Sequence, residues 1–442
     1  MKSVIKFAFV TLLAAACVFC GCSKRKAEGG KAAPSEKLYN PLVGTNAFAV
    51  VVTDYGKMLG NPLFRVFDEL CERKAKEFGE AFKNASDEKV PEALAKYSKM
   101  TKAEAVRHFY GIEQSDFKWG MGALEKFDPA ALAAGFPTNF VAPYAYGVIC
   151  AAKPLDLDHI VKAYRELFEA ACASNAEMSN ACAQASATYG KCLSCERVEI
   201  DGVPAYRLTV AGPDSGEKIG GIAPVATTIC GGKLLVVALS DATLAHVKGL
   251  FDGTEPAASA ESEIGRELAL PNDVLCRVAV RGIDELASAL ACAKGGEAED
   301  EDADKDGGLK PDDIRSARFD VGFDSSKTNL FLRVATELGD AEEASTFARE
   351  AQEGITGSMG LLQMMLGMKP EFAFVGPILQ TLEVRSSGNT LAAGIAIPYS
   401  ALERIDCGKL AESAAEAKKN APALPFPLPG AGGDKDQDDI FE

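Results

Sequence analysis

Residues 297–314 read "EAEDEDADKDGGLKPDDI", a run in which carboxylates alternate with other residues ahead of a glycine pair. With Asp302 at position 1 of a twelve-residue loop, Asp304 falls at 3, Asp306 at 5 and Gly307 at the turn position 6. Gly308 then stands at 7, Leu309 at 8 and Asp313 at 12. Hard Ca2+ wants six to eight oxygens, and alternate side chains around a tight glycine turn supply them from one short segment. Asp302, Asp304, Asp306, Gly308 (through its carbonyl) and Asp313 are the candidate calcium ligands. The same acidity also fits a solvated linker between a helix and a hairpin. Asp313 reaches less far than the usual glutamate, and "IRSARFDVGF" after it has the composition of a strand.

Thiols are the second chemistry. Of 13 cysteines, Cys172, Cys182, Cys192 and Cys195 crowd one segment. In an oxidising compartment such crowding favours disulfides, and these four are the candidates for one or two bridges. "CLSC" at 192–195 is formally a CxxC, but a redox pair needs a helix N-terminus to lower the thiol pKa. Here the motif runs into the strand-like "RVEIDGVPAYRLTV", and a zinc ribbon would need a second CxxC.

Other chemistries lack their residues. His108, His159 and His246 are far apart, with no HExxH, and each is expected on a helix surface. There is no GxSxG elbow, no GxxxxGK[ST] and no GxGxxG after a strand. Asp54, Asp156 and Asp201 could serve a hydrolase if the fold assembled them. Each also stands where a helix cap or a tight turn wants an aspartate. No catalytic residue is assigned, and the reading leans away from an enzyme.

Three more cysteines close the N-terminal apolar run in "CVFCGCSKRK". Lys2 and Lys6 form a basic head, and Phe7–Gly21 carries no charge, short of the roughly 20 residues a bilayer span needs. The segment resembles a bacterial lipoprotein signal, in which a small residue precedes a cysteine that is acylated. Gly21–Cys22 fits best, Ala16–Cys17 is the runner-up, and Cys20 follows the bulky Phe19. Phe19 and Cys20 depart from the usual Leu and small residue. The resemblance implies a palmitate-bearing thiol at Cys22 and a place in the bacterial cell envelope, facing the periplasm or exterior. Ser23 in place of an aspartate leans toward the outer membrane. A plain secretory signal or an uncleaved anchor is the alternative.

Those groups must be positioned by a chain of 442 residues, 47% hydrophobic and 25% charged, which are globular values. A formal charge of −16 argues against nucleic acid and against docking on anionic lipid. "AFAVVV" reads as a strand, followed by a helix that Asn61 caps and Pro62 opens. "AYGVICAA" leads to a helix from near Asp156. Hairpins turn at Asp201–Gly202 and Gly231–Gly232. Ser240 caps "DATLAHVKGLF", in which Leu244, Val247 and Phe251 are spaced for burial. The second half repeats this order with "VLCRVAV", "IDELASALA", the hairpin across "DSSK", a long helix from Ala341 and a hairpin at Gly388–Asn389.

The expected fold is therefore α+β: two related modules of antiparallel sheet with helices packed on one face. The boundaries are a signal peptide at 1–21, a tether at 22–40 and N-terminal module(s) at 41–265. A C-terminal module spans 266–405, and residues 406–442 hold a helix end and a Pro-rich, acidic, disordered tail. This plan, with "GN-TL" and "GG-KL" before short helices, is similar to uncharacterised bacterial envelope lipoproteins. The resemblance carries no known catalytic or ligand residues. It implies a lipid-anchored protein that binds an unidentified protein or small molecule, by default in a groove between modules. No cofactor is expected beyond the calcium of the acidic loop.

Overall fold

The computed structural model describes residues 40–86, 94–128, 143–174, 193–210, 223–293, 313–324, 329–367, 372 and 374–420. The described residues divide into two compact units, one within 40–72 and 94–405 and the other within 73–86 and 406–420.

The larger unit is built on one antiparallel sheet of twelve strands in the order β11-β12-β10-β9-β8-β1-β2-β3-β7-β6-β5-β4. From the N-terminus these are β1 (Ala47–Asp54), β2 (Phe117–Glu125), β3 (Tyr144–Ala151), β4 (Leu193–Ile200), β5 (Val203–Val210) and β6 (Val225–Ile229). β7 (Leu234–Ala238), β8 (Val274–Arg281), β9 (Ile314–Asp324), β10 (Asn329–Leu338), β11 (Glu383–Ser387) and β12 (Thr390–Pro398) follow. The two expected sets of strands are continuous, because β1 and β8 pair directly from Ala49↔Val280 to Thr53↔Cys276. Outward from that seam the order is β1, β2, β3, β7, β6 on one side and β8, β9, β10, β12, β11 on the other. The β4–β5 hairpin extends the first side alone.

Local chemistry sets the element ends. α1 (Tyr55–Gly60) starts where Asp54 Oδ1 accepts the Lys57 N–H at 2.8 Å. α2 (Pro62–Ser86) starts where Asn61 Oδ1 accepts the Leu63 N–H at 2.9 Å. After the short α3 (Ala95–Ser98), α4 (Lys102–Tyr110) opens on a reciprocal capping box between Thr101 and Glu104. α5 (Leu157–Ser174) is preceded by Asp156, which accepts the His159 N–H at 3.2 Å. α6 (Asp241–Asp252) is capped by Ser240, as expected, and ends on Gly253 in the left-handed region. The Asp201–Gly202 turn has φ of 50° and 76°, the doubly positive pattern that favours this pair in a two-residue loop.

Buried core residues lie on both faces of the sheet, which corrects the expectation of helices on one face only. Val148, Leu234 and Val236 join a core with Leu244, Val247 and Leu250 of α6 and with Ile264 and Leu268 of α7 (Glu263–Leu268). Ile149 and Leu235, one residue out of step, join a second core with Tyr55, Met58, Phe67, Tyr110 and Ile160. Strands such as "LLVVA" are apolar at both parities, and so need cover on both sides. Phe251, expected inside, is 39% exposed, one step round α6 from the buried Leu250.

The second half of the large unit adds α8 (Ile283–Ala293), α9 (Ala341–Gly367), α10 (Val375–Leu379) and α11 (Tyr399–Glu403). The smaller unit contains the end of α2 and α12 (Cys407–Asn420). Inside it the Cys407 thiol donates to the Lys74 carbonyl at 3.3 Å, and Lys74 pairs with Glu77 at 3.2 Å. No helix among the described residues is long and apolar enough to cross a membrane.

Candidate binding face

Several predicted site residues lie outside the described residues: Cys17, Cys22, Cys182, Cys192, Asp302, Asp304, Asp306 and Gly308. Asp313 sits just before β9. Among the described residues no three His, Cys, Asp or Glu side chains group to hold a metal ion. Cys172 falls in α5. Cys195, expected in a bridge, is a free thiol on β4 opposite Leu208, and burial raises its pKa. Cys71, Cys150, Cys230 and Cys407 are free thiols as well, and the Cys276 sulfur accepts the Thr53 hydroxyl at 3.3 Å. Burial likewise pushes the Cys150 thiol up to about 11, which keeps it protonated and a poor nucleophile at neutral pH.

Among the described residues, carboxylates do not assemble into an acid–base pair around an open site. Asp54 and Asp156 are spent on helix caps, and Asp201 lies in its exposed turn. The other buried acids are also committed. Asp68 holds Lys102 at 2.7 Å, Asp116 holds Lys153 at 3.0 Å, and Asp320 holds Arg277 through two contacts at 2.6 and 3.0 Å.

His246 corrects the expectation of a surface histidine: its side chain is 5% exposed. It projects from α6 toward Glu125 at the end of β2. Its Nε2 lies 3.0 Å from Glu125 Oε2, and its Nδ1 contacts Glu255 Oε2. Glu125 Oε1 accepts the Gly44 N–H at 2.8 Å and also meets the Tyr146 hydroxyl, which lies 2.7 Å from the Leu42 carbonyl. Burial would raise Glu125, but hydrogen bonds from His246, Tyr146 and the Gly44 amide together hold it below the usual carboxylate range. Burial would lower His246, but Glu125 and Glu255 outweigh it and raise the imidazole above its ordinary value.

The surface with an unfilled role is the middle of one sheet face. Following the register, Val237 of β7 pairs with Gly147 of β3, Gly147 with Gly122 of β2, and Gly122 with Val51 of β1. The row continues through Val278 of β8, Phe319 of β9, Val334 of β10, Ala393 of β12 and Val384 of β11. On the other side it reaches Ala226 of β6 and Tyr206 of β5. It crosses eleven strands without a charged side chain. Its neighbours toward one end of the strands, Ile149, Leu235 and Phe323, belong to the second core. The row itself stays open at Val237, Phe319 and Val334, which are 40%, 37% and 42% exposed. From β7 to β10 this open band spans about 29 Å at the usual strand spacing.

The opposite face of the second half is polar. Arg277, Arg318 and Asp320 form a lattice with Glu267, whose carboxylate lies 3.5 Å from both guanidinium groups. Arg333, in register with Asp320, stacks 4.7 Å from the Phe331 ring. A small hollow beside α6 is lined by Ile200, Val203, Ile229, Val236, Leu244 and Val247, with Lys248 as its one charge. That is too few polar groups to orient a substrate. Against this geometry, no protein-family profile, curated protein or solved structure matches the chain.

Sequence reasoning missed β2, and with it Glu125, Gly122 and the floor of the band. The signal was present in "FKWGMGALE", where Phe117, Trp119, Met121, Ala123 and Glu125 recur at period two. Two glycines in the alternate positions, Gly120 and Gly122, weakened that signal. Glu125 then occupied a position that the alternation assigns to the core, which marks it as a buried acid in need of partners.

Proposed function

We propose that this chain is a lipid-anchored, extracytoplasmic binding protein of two related modules that holds a partner protein on the open apolar band of its sheet. The band carries the reading. Three large apolar side chains more than a third exposed, aligned across a surface with no charge, are unusual on a face that meets only water. An acyl chain on an open sheet would keep half its surface in water. A protein surface covers the band and excludes water along its length, so a protein is the occupant that gains most. The module reading is supported by the matching strand orders on either side of the β1–β8 seam, with β4–β5 as an addition to the first copy. The anchor is supported by the lipoprotein-like N-terminus alone.

Two measurements in a bacterial host test this. A photo-crosslinking residue at Val334 or Phe319 should give one discrete protein adduct that an added Val237→Asp change abolishes. The same residue at Arg385, on the opposite face, should give none. Equal adducts at all three positions, or none anywhere, would remove the binding face. Labelled palmitate should enter the intact chain and not a Cys22→Ala variant; equal labelling moves the anchor to another cysteine, and none in either removes it.

A further inference from the structure

The polar array under α6 serves no binding role in the reading above, yet it costs the fold a buried histidine and a buried carboxylate. Its geometry states what charge it carries. A neutral imidazole has one N–H and one bare lone pair, whereas an imidazolium donates from both nitrogens. His246 faces a carboxylate oxygen at each nitrogen, Glu125 at Nε2 and Glu255 at Nδ1. Only the doubly protonated ring can donate to both, and losing either proton turns a lone pair onto a carboxylate.

The array grips one particular stretch of chain. Glu125 takes the Gly44 amide, and Tyr146 reaches the Leu42 carbonyl. The Val43 carbonyl accepts the Ala258 N–H at 2.7 Å, and Gly44 forms a bridge with Ala257. Gly44 lies so close that an added Cβ would stand 2.1 Å from Glu125 Oε2, so any larger residue there would displace the Glu125 carboxylate. Leu42 and Val43 are 2% and 0% exposed. Residues 42–44 are thus strapped under the sheet immediately after the N-terminal stretch. The other groups facing His246 are Tyr144, with its ring centroid at 4.8 Å, and Tyr146 at 6.4 Å. Lys126 is the nearby cation, 4.0 Å from the Tyr144 ring.

We propose that Glu125, His246 and Glu255 form a proton-dependent clasp on Leu42–Gly44, closed while His246 carries both ring protons and opening when it loses one. Because the folded array holds His246 above its ordinary value, its stabilisation is complete below about pH 6.5 and is lost as pH rises through the folded value. Glu125 has the opposite sense: its contribution is complete above the ordinary carboxylate range and is lost as pH falls through its lowered value. The clasp is tightest between the two.

Hydrogen exchange of the full chain against pH tests it, with intrinsic exchange rates divided out. Between the ordinary and the folded histidine values, opening at residues 42–46 should rise by up to about tenfold per pH unit. Strands β9 and β10 should hold steady over the same range. Glu255→Gln touches only the outer, 39% exposed carboxylate, so it leaves the fold intact and should move the step to lower pH. His246→Gln should abolish it. Nitrogen NMR of the ring should find both nitrogens protonated at pH 6. A single protonated nitrogen there, a flat profile at 42–46, or a step unchanged in Glu255→Gln would overturn the clasp.

Discussion

Arg277 and Asp320 show how a single pair holds strands together without apolar packing. They sit opposite each other on β8 and β9, and their side chains are 5% and 2% exposed. Arg277 also reaches the Glu267 and Ala269 carbonyls at 3.3 and 3.4 Å, where the end of α7 leaves acceptors free. Removing one partner strands the other charge in the interior. Asp320→Ala should therefore cost about 3–5 kcal/mol, read as a lower urea midpoint at constant slope. Arg277→Met with Asp320→Leu should recover most of that loss, because two apolar side chains need no counter-charge. A loss below about 1 kcal/mol in the single variant would mean that Glu267 and Arg318 already neutralise the site. None of this was readable from the sequence. Arg277 and Asp320 are 43 positions apart, and only the β8–β9 register brings them face to face. His246 was hidden for the same reason, since its two carboxylates come from β2 and from a loop.

At the scale of elements, legibility followed local chemistry. The caps at Asn61, Asp156 and Ser240, and the Asp201–Gly202 turn, depend on residues within a few positions, and each forms where the sequence indicated. Eleven of the twelve β-strands overlap segments that alternation, a short apolar run or a hairpin turn picks out. β2 was lost because Gly120 and Gly122 remove the alternate side chains from which a strand is recognised. Structure supplies the reason for both glycines. A Cβ on Gly120 would meet the Tyr55 hydroxyl at 3.2 Å, and Gly122 lies in the row between Gly147 and Val51. Glycine here lets α1 approach the sheet and flattens the band, at the cost of a weaker local strand signal. The two-sided burial was hidden differently. Apolar residues at both parities in β3 and β7 report core packing on both faces, but a run that short fits a buried helix just as well.

For the larger unit as a whole, the decisive feature is the β1–β8 seam. A chain with two successive sets of strands could fold as two beads, each with its own edge strand. Here the first strand of each set pairs with the other, so neither set can be removed without exposing a central ladder. The second core crosses the same seam, joining Tyr55, Phe117 and Leu235 to Leu275 and Phe323. Shared hydrogen bonds and a shared core should make the two halves unfold together. The protein has one tryptophan, Trp119, buried at 3% on β2, so its fluorescence reports the first half specifically. A label on Ser386 of β11 reports the far edge of the second half. In urea the two signals should follow one curve with the same midpoint and slope, as two-state unfolding requires. Val51→Pro, which removes a ladder donor from the central strand β1, should shift both midpoints downward by the same amount. If the label melts first while Trp119 stays native, the halves are separate folding units that the sheet merely aligns. The band across them would then be a surface that local unfolding can break in two.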